Sequence, residues 1–284
     1  MSLEYREMEK EPPMSKIKAC LVGEEQNGKS LLASTGRKPI LFHDFDDKRE
    51  ALIGIPGVYV ITYKDPQPPK QPEAANEFLS VIAKLEDNLE LRSLGFKDAP
   101  VGLCVKTNVV DSINTYSRAV GNYALFTSPA LRREVTFGGH KIFVQQSWEA
   151  WGAEMKEVEN QVLRLLALPT DTIITLHETM EEAEDSTPEK KKFTGKIGVY
   201  PARYQLLLKY FLELWRVKLT QCSIAGKAKY LPRVYPKPNY EFSSGTTMQL
   251  DEMEEPDICK MIAKHEMKLK ALSANAPKEL VGIK

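Results

Sequence analysis

Eight residues near the start of the chain, Gly23-Glu24-Glu25-Gln26-Asn27-Gly28-Lys29-Ser30, have the spacing GxxxxGK[ST]. Each fixed position has a chemical task. The glycines let the backbone fold back so that its N–H groups surround a phosphate chain. The lysine brings a cation to the terminal phosphates, and the serine hydroxyl is a ligand for Mg²⁺. An apolar stretch from Ile17 to Val22 precedes the loop, and Leu31-Leu32-Ala33-Ser34 follows it. The motif therefore sits where a strand would turn into a helix whose N-terminus adds positive potential. Gly23, Glu24, Glu25, Gln26, Asn27, Gly28, Lys29, Ser30 and Leu31 are the expected cradle of a nucleoside triphosphate, with a plain Gly-rich turn as the alternative.

Such a site needs a second acidic group at a strand end to orient the metal through its water shell. Asp111 follows the apolar Val109-Val110, and Asp65 lies three residues past Val58–Thr62 beside a proline turn. Asp111 is preferred, because ligands of open α/β sheets bind beyond the carboxyl ends of the strands. Either aspartate could instead cap the turn or helix that follows. Hydrolysis further needs a group that aligns water. The run His43-Asp44-Phe45-Asp46-Asp47 crowds three carboxylates at one strand end, a costly arrangement without a cation or a hydrogen-bond network. Extended geometry would put Asp44 and Asp46 on one side, and a solvated acidic turn is the plainer alternative. His177-Glu178 ends a later apolar strand and could sense the γ-phosphate, or His177 could simply be a hydrogen-bonded strand terminus. Met180 and Glu181 follow, so the spacing excludes an HExxH zinc site.

Arg216 to Tyr240 holds Arg216, Lys218, Lys227, Lys229, Arg233 and Lys237, no acidic residue, and the interleaved Tyr230, Tyr235 and Tyr240. Cations beside aromatics suit a nucleic-acid single strand, whose bases can stack while its phosphates are neutralised. The competing reading is a basic β-ribbon balanced by the acidic stretch Glu241 to Asp257. Two further basic candidates are Lys190-Lys191-Lys192-Phe193-Thr194-Gly195-Lys196 and the Gly-hinged Thr136-Phe137-Gly138-Gly139-His140-Lys141.

The elements that must position these residues alternate along the chain. Strands are expected at Ile17–Val22, Pro39–Phe42, Gly57–Thr62, up to Asp111, and Asp171–Leu176. Helical spacing is expected over Glu73–Leu91 and Ser147–Leu168, the pattern of a mostly parallel α/β sheet. Met180 to Lys192 is charge-dense and aperiodic and reads as a flexible surface loop, and Gln205 to Trp215 as an apolar helical or strand-like segment. Met253 to Lys284 reads as one amphipathic helix and a tail. The 284 residues are 42% hydrophobic and 27% charged with zero formal net charge, so any nucleic-acid contact must come from a local patch. Cys20, Cys104, Cys222 and Cys259 form no CxxC pair and read as reduced thiols. The apolar runs are too short to cross a bilayer and the charged start is no signal peptide, which implies a cytoplasmic protein.

Taken in order, GxxxxGKS, Ile40-Leu41-Phe42-His43-Asp44-Phe45-Asp46-Asp47, Thr107-Asn108-Val109-Val110-Asp111-Ser112, Thr175-Leu176-His177-Glu178 and Thr194-Gly195-Lys196-Ile197 followed by Pro201 resemble one family. They are similar to phage-encoded RecA-like P-loop ATPases of the single-strand-annealing (Sak-type) recombinase group, over roughly residues 15 to 258. The resemblance implies a RecA-like NTPase core in which the sensor strand lies between the phosphate-loop strand and the Asp111 strand. Implied divisions are an N-terminal extension (1–14), the core (15–220), a basic and aromatic β extension (221–258) and a C-terminal helix and tail (259–284).

The resemblance also implies roles: ATP and Mg²⁺ as ligands, Lys29 on phosphate, Ser30 and Asp111 on the metal. Asp46 stands where recombinases carry a catalytic glutamate, and His177 where a glutamine senses the γ-phosphate. DNA would meet Lys141, Lys190, Lys191, Lys192 and Lys196, alongside Lys229, Tyr230 and Arg233. The implied partners are single-stranded DNA, further copies stacked head-to-tail as a filament or ring, and a single-strand-binding protein. Lys196 or Arg203 would serve a neighbour's phosphates, in the cytoplasm of a bacterial host, with slow, DNA-stimulated ATP hydrolysis as the activity.

Overall fold

Alternation along the first strand already divides the molecule in two. In β1 (Lys18–Gly23), Cys20 and Val22 belong to one buried apolar cluster and Ala19 and Leu21 to another. The same split recurs in β2 (Ile40–Asp44), with Leu41 opposite Ile40 and Phe42, and in β4 (Thr107–Asp111), with Val110 opposite Val109. Period-two burial on both faces is what a strand inside a covered parallel sheet requires. The structure is a computed structural model that describes residues 16–66, 71–137, 139–145, 148–182, 193–197, 207–224, 227–237 and 244–274.

With β3 (Val58–Thr62), β7 (Asp171–Glu182), β9 (Glu213–Ile224) and β10 (Lys227–Tyr235), the sheet order is β10-β9-β1-β7-β4-β2-β3. All neighbours from β9 to β3 are parallel, and β10 pairs antiparallel to β9 at the edge. The strand carrying His177 thus lies between the phosphate-loop strand and the Asp111 strand, as the resemblance implies. Helices α2 (Ala74–Asp87), α3 (Ile113–Thr127) and α4 (Trp148–Ala167) cover one face through Phe78, Ile82, Tyr116, Val120, Val158 and Val162. The short α1 (Lys29–Ala33) and the C-terminal α5 (Ile258–Ala274) cover the other, with Leu32, Ile258 and Met261 beside Trp215 and Val234. Thr35 Oγ1 accepts the Ile258 N–H at 2.8 Å, fastening α5 to the end of α1.

One expectation changes, and two segments take definite form. The His177 strand does not stop at Leu176: β7 runs to Glu182 because β8 (Phe193–Ile197) pairs with its outer half, Glu178 opposite Ile197 through Glu182 opposite Phe193. Met180, Glu181 and Glu182 are therefore strand residues, where charge density suggested loop, and 183–192 lie outside the described residues. The Gly-hinged segment is a hairpin of β5 (Arg132–Phe137) and β6 (His140–Gln145), with Gly139 at φ 80° in its turn. The segment before Trp215 becomes strand only at Glu213, and Leu207 and Phe211 ahead of it are buried against the α2–α4 face.

Candidate nucleotide-binding site

The loop leaves β1 at Gly23 and enters α1 at Gly28, whose φ of 85° only glycine adopts without strain. Lys29 is buried, and its Nζ donates to the carbonyl oxygens of Gly23 (2.8 Å) and Glu24 (2.6 Å). The ammonium thus spans the concavity of its own loop. Burial lowers its pKa to about 8, against the opposing influence of Asp111. Helix α1 has only five residues, so a long-helix dipole is not what attracts anions here. That work falls to the N–H groups of the first turn and to Lys29. The loop is also braced from outside: Asn27 Nδ2 donates to the Val217 carbonyl at 3.3 Å, and a Cβ at Gly28 would lie 3.0 Å from the Pro232 ring.

Asp111 ends β4 facing the loop. Its Oδ2 accepts from Ser30 Oγ and its Oδ1 from Thr175 Oγ1, each at 2.5 Å. A serine hydroxyl and a carboxylate at this separation form a hard oxygen pair of the kind Mg²⁺ uses when phosphates and water complete its shell. The donor set fits the ion, with Ser30 and Asp111 as its holders. The rival aspartate is a cap: Asp65 Oδ1 accepts the N–H groups of Glu73 (3.1 Å) and Ala74 (3.0 Å) at the start of α2.

The acidic run takes three separate environments, because β2 ends at Asp44 and the chain bends there. Asp44 Oδ1 accepts the Lys48 N–H at 3.3 Å, and burial raises its pKa. Asp46 does not share its side, as uninterrupted extension would require. Its Oδ1 accepts from Ser112 Oγ (3.0 Å) and Thr115 Oγ1, and its Oδ2 lies 2.9 Å from His177 Nε2. Asp47 turns outward to Lys64. Between them, buried Phe45 stacks on Tyr63 at 4.7 Å, pinning the bend to the α2–α3 core. Burial opposes ionisation of Asp46, yet the bonds from His177, Thr115 and Ser112 outweigh it and hold the carboxyl well below the usual range. An ionised carboxylate only accepts, so His177 carries its proton on Nε2. Among the described residues His177 Nδ1 is buried without a hydrogen-bond partner, and its backbone N–H reaches Asn114 Oδ1 at 3.1 Å. Glu178, the next residue, is ion-paired with Arg216 of β9.

The structure therefore gathers Lys29, Ser30, Asp46, Asp111 and His177 at one edge of the sheet. Sequence reasoning gave no role to Thr175, Ser112, Thr115 or Asn114. Thr175 has a readable signal, since it precedes His177 by two residues on one strand and so shares its face. The proposed DNA contacts are scattered: Lys141 is on β6, Lys196 on β8, and Lys229, Tyr230 and Arg233 on β10. Lys190, Lys191, Lys192 and Arg203 lie outside the described residues.

A loop strand, an acidic strand, and a third strand between them bearing a polar terminus define a P-loop nucleoside triphosphatase. The chain belongs to the AAA domain family, whose P-loop ATPase model matches residues 15–201, well over half its length. No curated protein matches the chain. Among the described residues no helix is long and apolar enough to cross a membrane.

Proposed function

We propose that the chain binds Mg²⁺-ATP in the Gly23–Leu31 cradle, hydrolyses it slowly, and acts on single-stranded DNA as a strand-annealing or strand-pairing protein of recombination, of phage type. The observation that carries the catalytic part is the Asp46–His177 contact of 2.9 Å beside Asp111. On this reading Lys29 exchanges its two loop carbonyls for terminal phosphate oxygens. Ser30 and Asp111 would hold Mg²⁺, which when bound would supply charge neutralisation on the phosphates. Asp46, kept ionised, accepts a hydrogen bond from the attacking water and sets its line of approach. His177 is positioned to follow that carboxylate and to report the γ-phosphate to β7 and the loop beyond it. Catalysis is then mainly positioning and charge neutralisation. An aspartate in this role reaches less far than a glutamate, which suits slow turnover.

The DNA part of the proposal is supported by the family resemblance and by the cation-rich β9–β10 pair next to the loop. In the same reading Lys141 and the Lys190–Lys196 stretch line the strand's path. Copies stack head-to-tail with Lys196 or Arg203 reaching a neighbour's phosphates, a single-strand-binding protein is a partner, and the setting is the cytoplasm of a bacterial host. The test is ATP hydrolysis with and without single-stranded DNA, with duplex DNA and Lys29→Ala as controls. Stimulation by single strands that Lys29→Ala abolishes is the expected result. Hydrolysis indifferent to DNA, with no binding at low salt, would replace this reading with a nucleotide-gated protein switch. Unwinding of a tailed duplex would replace it with a motor.

A further inference from the structure

Strands β9 and β10 pair without a bulge, Arg216 opposite Tyr235, Lys218 opposite Arg233, Cys222 opposite Lys229 and Ile224 opposite Lys227. Residues opposite each other in an antiparallel pair share a face, and the face changes at every residue. All five cations of the two strands, Arg216, Lys218, Lys227, Lys229 and Arg233, therefore occupy positions on one face. The other face carries no cation. There Val217 and Val234 enter the core, Pro232 abuts the phosphate loop, and Tyr230 pairs with Gln221.

The last pair between β1 and β9 is Val22 with Arg216, so the rest of β9 extends past the sheet edge with β10 as its neighbour. The cation row starts at the Arg216–Glu178 pair beside His177 and runs outward. On β9 Arg216 and Lys218, and on β10 Lys227 and Lys229, stand two residues and about 6.6 Å apart, with Leu231 between Lys229 and Arg233. Tyr235 lies on the same face, its hydroxyl 2.9 Å from Thr220 Oγ1 across the ribbon. Of the described acidic residues that follow the ribbon, Asp251 and Glu254 pair with Lys264, and Asp251 also with Lys268, both lysines on α5.

We propose that single-stranded DNA runs along this one face of the ribbon. Its phosphates meet Lys218, Arg233 and the Lys229 and Lys227 positions, and its bases meet Tyr235, while Tyr230 takes no part. The inference rests on the DNA reading above and sharpens it: Lys218 and Lys227 join the site, and Tyr230 leaves it. A one-sided set of cations beside an aromatic suits a strand whose bases are exposed for stacking. A two-stranded ribbon also fits a major groove, so duplex DNA is the competitor to test.

The experiment is fluorescence anisotropy of a labelled oligothymidylate on the full chain, titrated at several salt concentrations. Lys218→Gln and Gln221→Glu each lower the net charge by one, on opposite faces of the same strand. Lys218→Gln with Arg233→Gln is expected to weaken binding on the order of tenfold or more. Its log–log salt slope should flatten by about 1.4, at about 0.7 per lost phosphate contact on a single strand. Gln221→Glu and Tyr230→Ala should stay within about twofold of the parent. Retained binding of a fluorescent ADP certifies each variant's fold. If the double variant loses it, Lys218→Gln alone, with a slope change of about 0.7, decides. Equal effects of Lys218→Gln and Gln221→Glu would overturn the face assignment and leave the DNA reading standing. A parent that binds no single strand at low salt would overturn both. Preference for duplex DNA or for an acidic peptide would overturn the single-strand assignment.

Discussion

Asp46 Oδ2 lies 2.9 Å from His177 Nε2, although 131 residues of chain and one whole strand separate them. Asp46 follows β2 and His177 is on β7, and β4 lies between these strands. Next-but-one strands are about 10 Å apart. The two side chains meet over the end of β4, where Ser112 and Thr115 hold the other carboxylate oxygen. The bend at Phe45 makes the meeting possible, by carrying Asp46 over β4 where a continued strand would carry it past.

Asp46→Asn keeps the shape of this bridge and removes its charge. Steady-state ATPase assays should show kcat reduced on the order of a hundredfold or more with nucleotide affinity little changed. A variant that lost affinity and kept kcat would place Asp46 in binding, not in water alignment.

Nucleotide affinity should depend on alkaline pH through Lys29. Before phosphates arrive, burial holds its ammonium at about 8. Bound phosphates raise that value, so above pH 8 binding must take up a proton and weakens by up to about tenfold per unit. Below pH 8 this group contributes no slope. Calorimetric titration of ADP at pH 7, 8 and 9, in buffers of differing ionisation heat, reads both the affinity and the proton uptake.

The Glu178–Arg216 pair joins β7 to β9, with side chains only 2% and 12% exposed. Arg216→Met alone should cost about 3–5 kcal/mol in urea unfolding, because it strands a buried carboxylate. Arg216→Met combined with Glu178→Gln should recover much of that loss. An equal loss in the double variant would mean that packing of the arginine stem, and not charge, is what matters.

Two glycines should respond in opposite directions. A Cβ at Gly23 would sit 2.4 Å from the Val217 carbonyl, so Gly23→Ala must part β1 from β9, at about 1–3 kcal/mol. Gly152 lies inside α4 with nothing within 4 Å of an added Cβ, so Gly152→Ala should stabilise by about 0.5–1 kcal/mol. Thermal unfolding of the two variants compares them directly.

The phosphate loop and the core strands are legible in the sequence because their information is local: fixed spacing in one case, apolar runs in the other. Asp111 is legible for the same reason, as an acid at a strand end, and Asp65 fails on a detail no spacing reveals, the two α2 N–H groups it caps. The partners of Asp46 are not legible, since Ser112, Thr115 and His177 reach it only through the sheet order. Outer β7 reads as loop because Met180–Glu182 is charged, and pairing with β8 overrides composition. Tyr230 looks interleaved with cations along the chain, yet strand alternation sends it to the opposite face.

One strand, β9, serves two structures. Its first residues, Glu213 to Arg216, are part of the sheet floor beside the phosphate loop, and the remainder, to Ile224, is half of the ribbon. Eight residues of strand beyond Arg216 reach about 26 Å. A 5° tilt at the root, where Asn27 and Pro232 touch β9 and the loop, would sweep the far end by about 2 Å, over half a strand's rise per residue. The ribbon is geometrically a boom: a small change of angle at its root, beside the phosphate loop, becomes a displacement of about 2 Å at its tip.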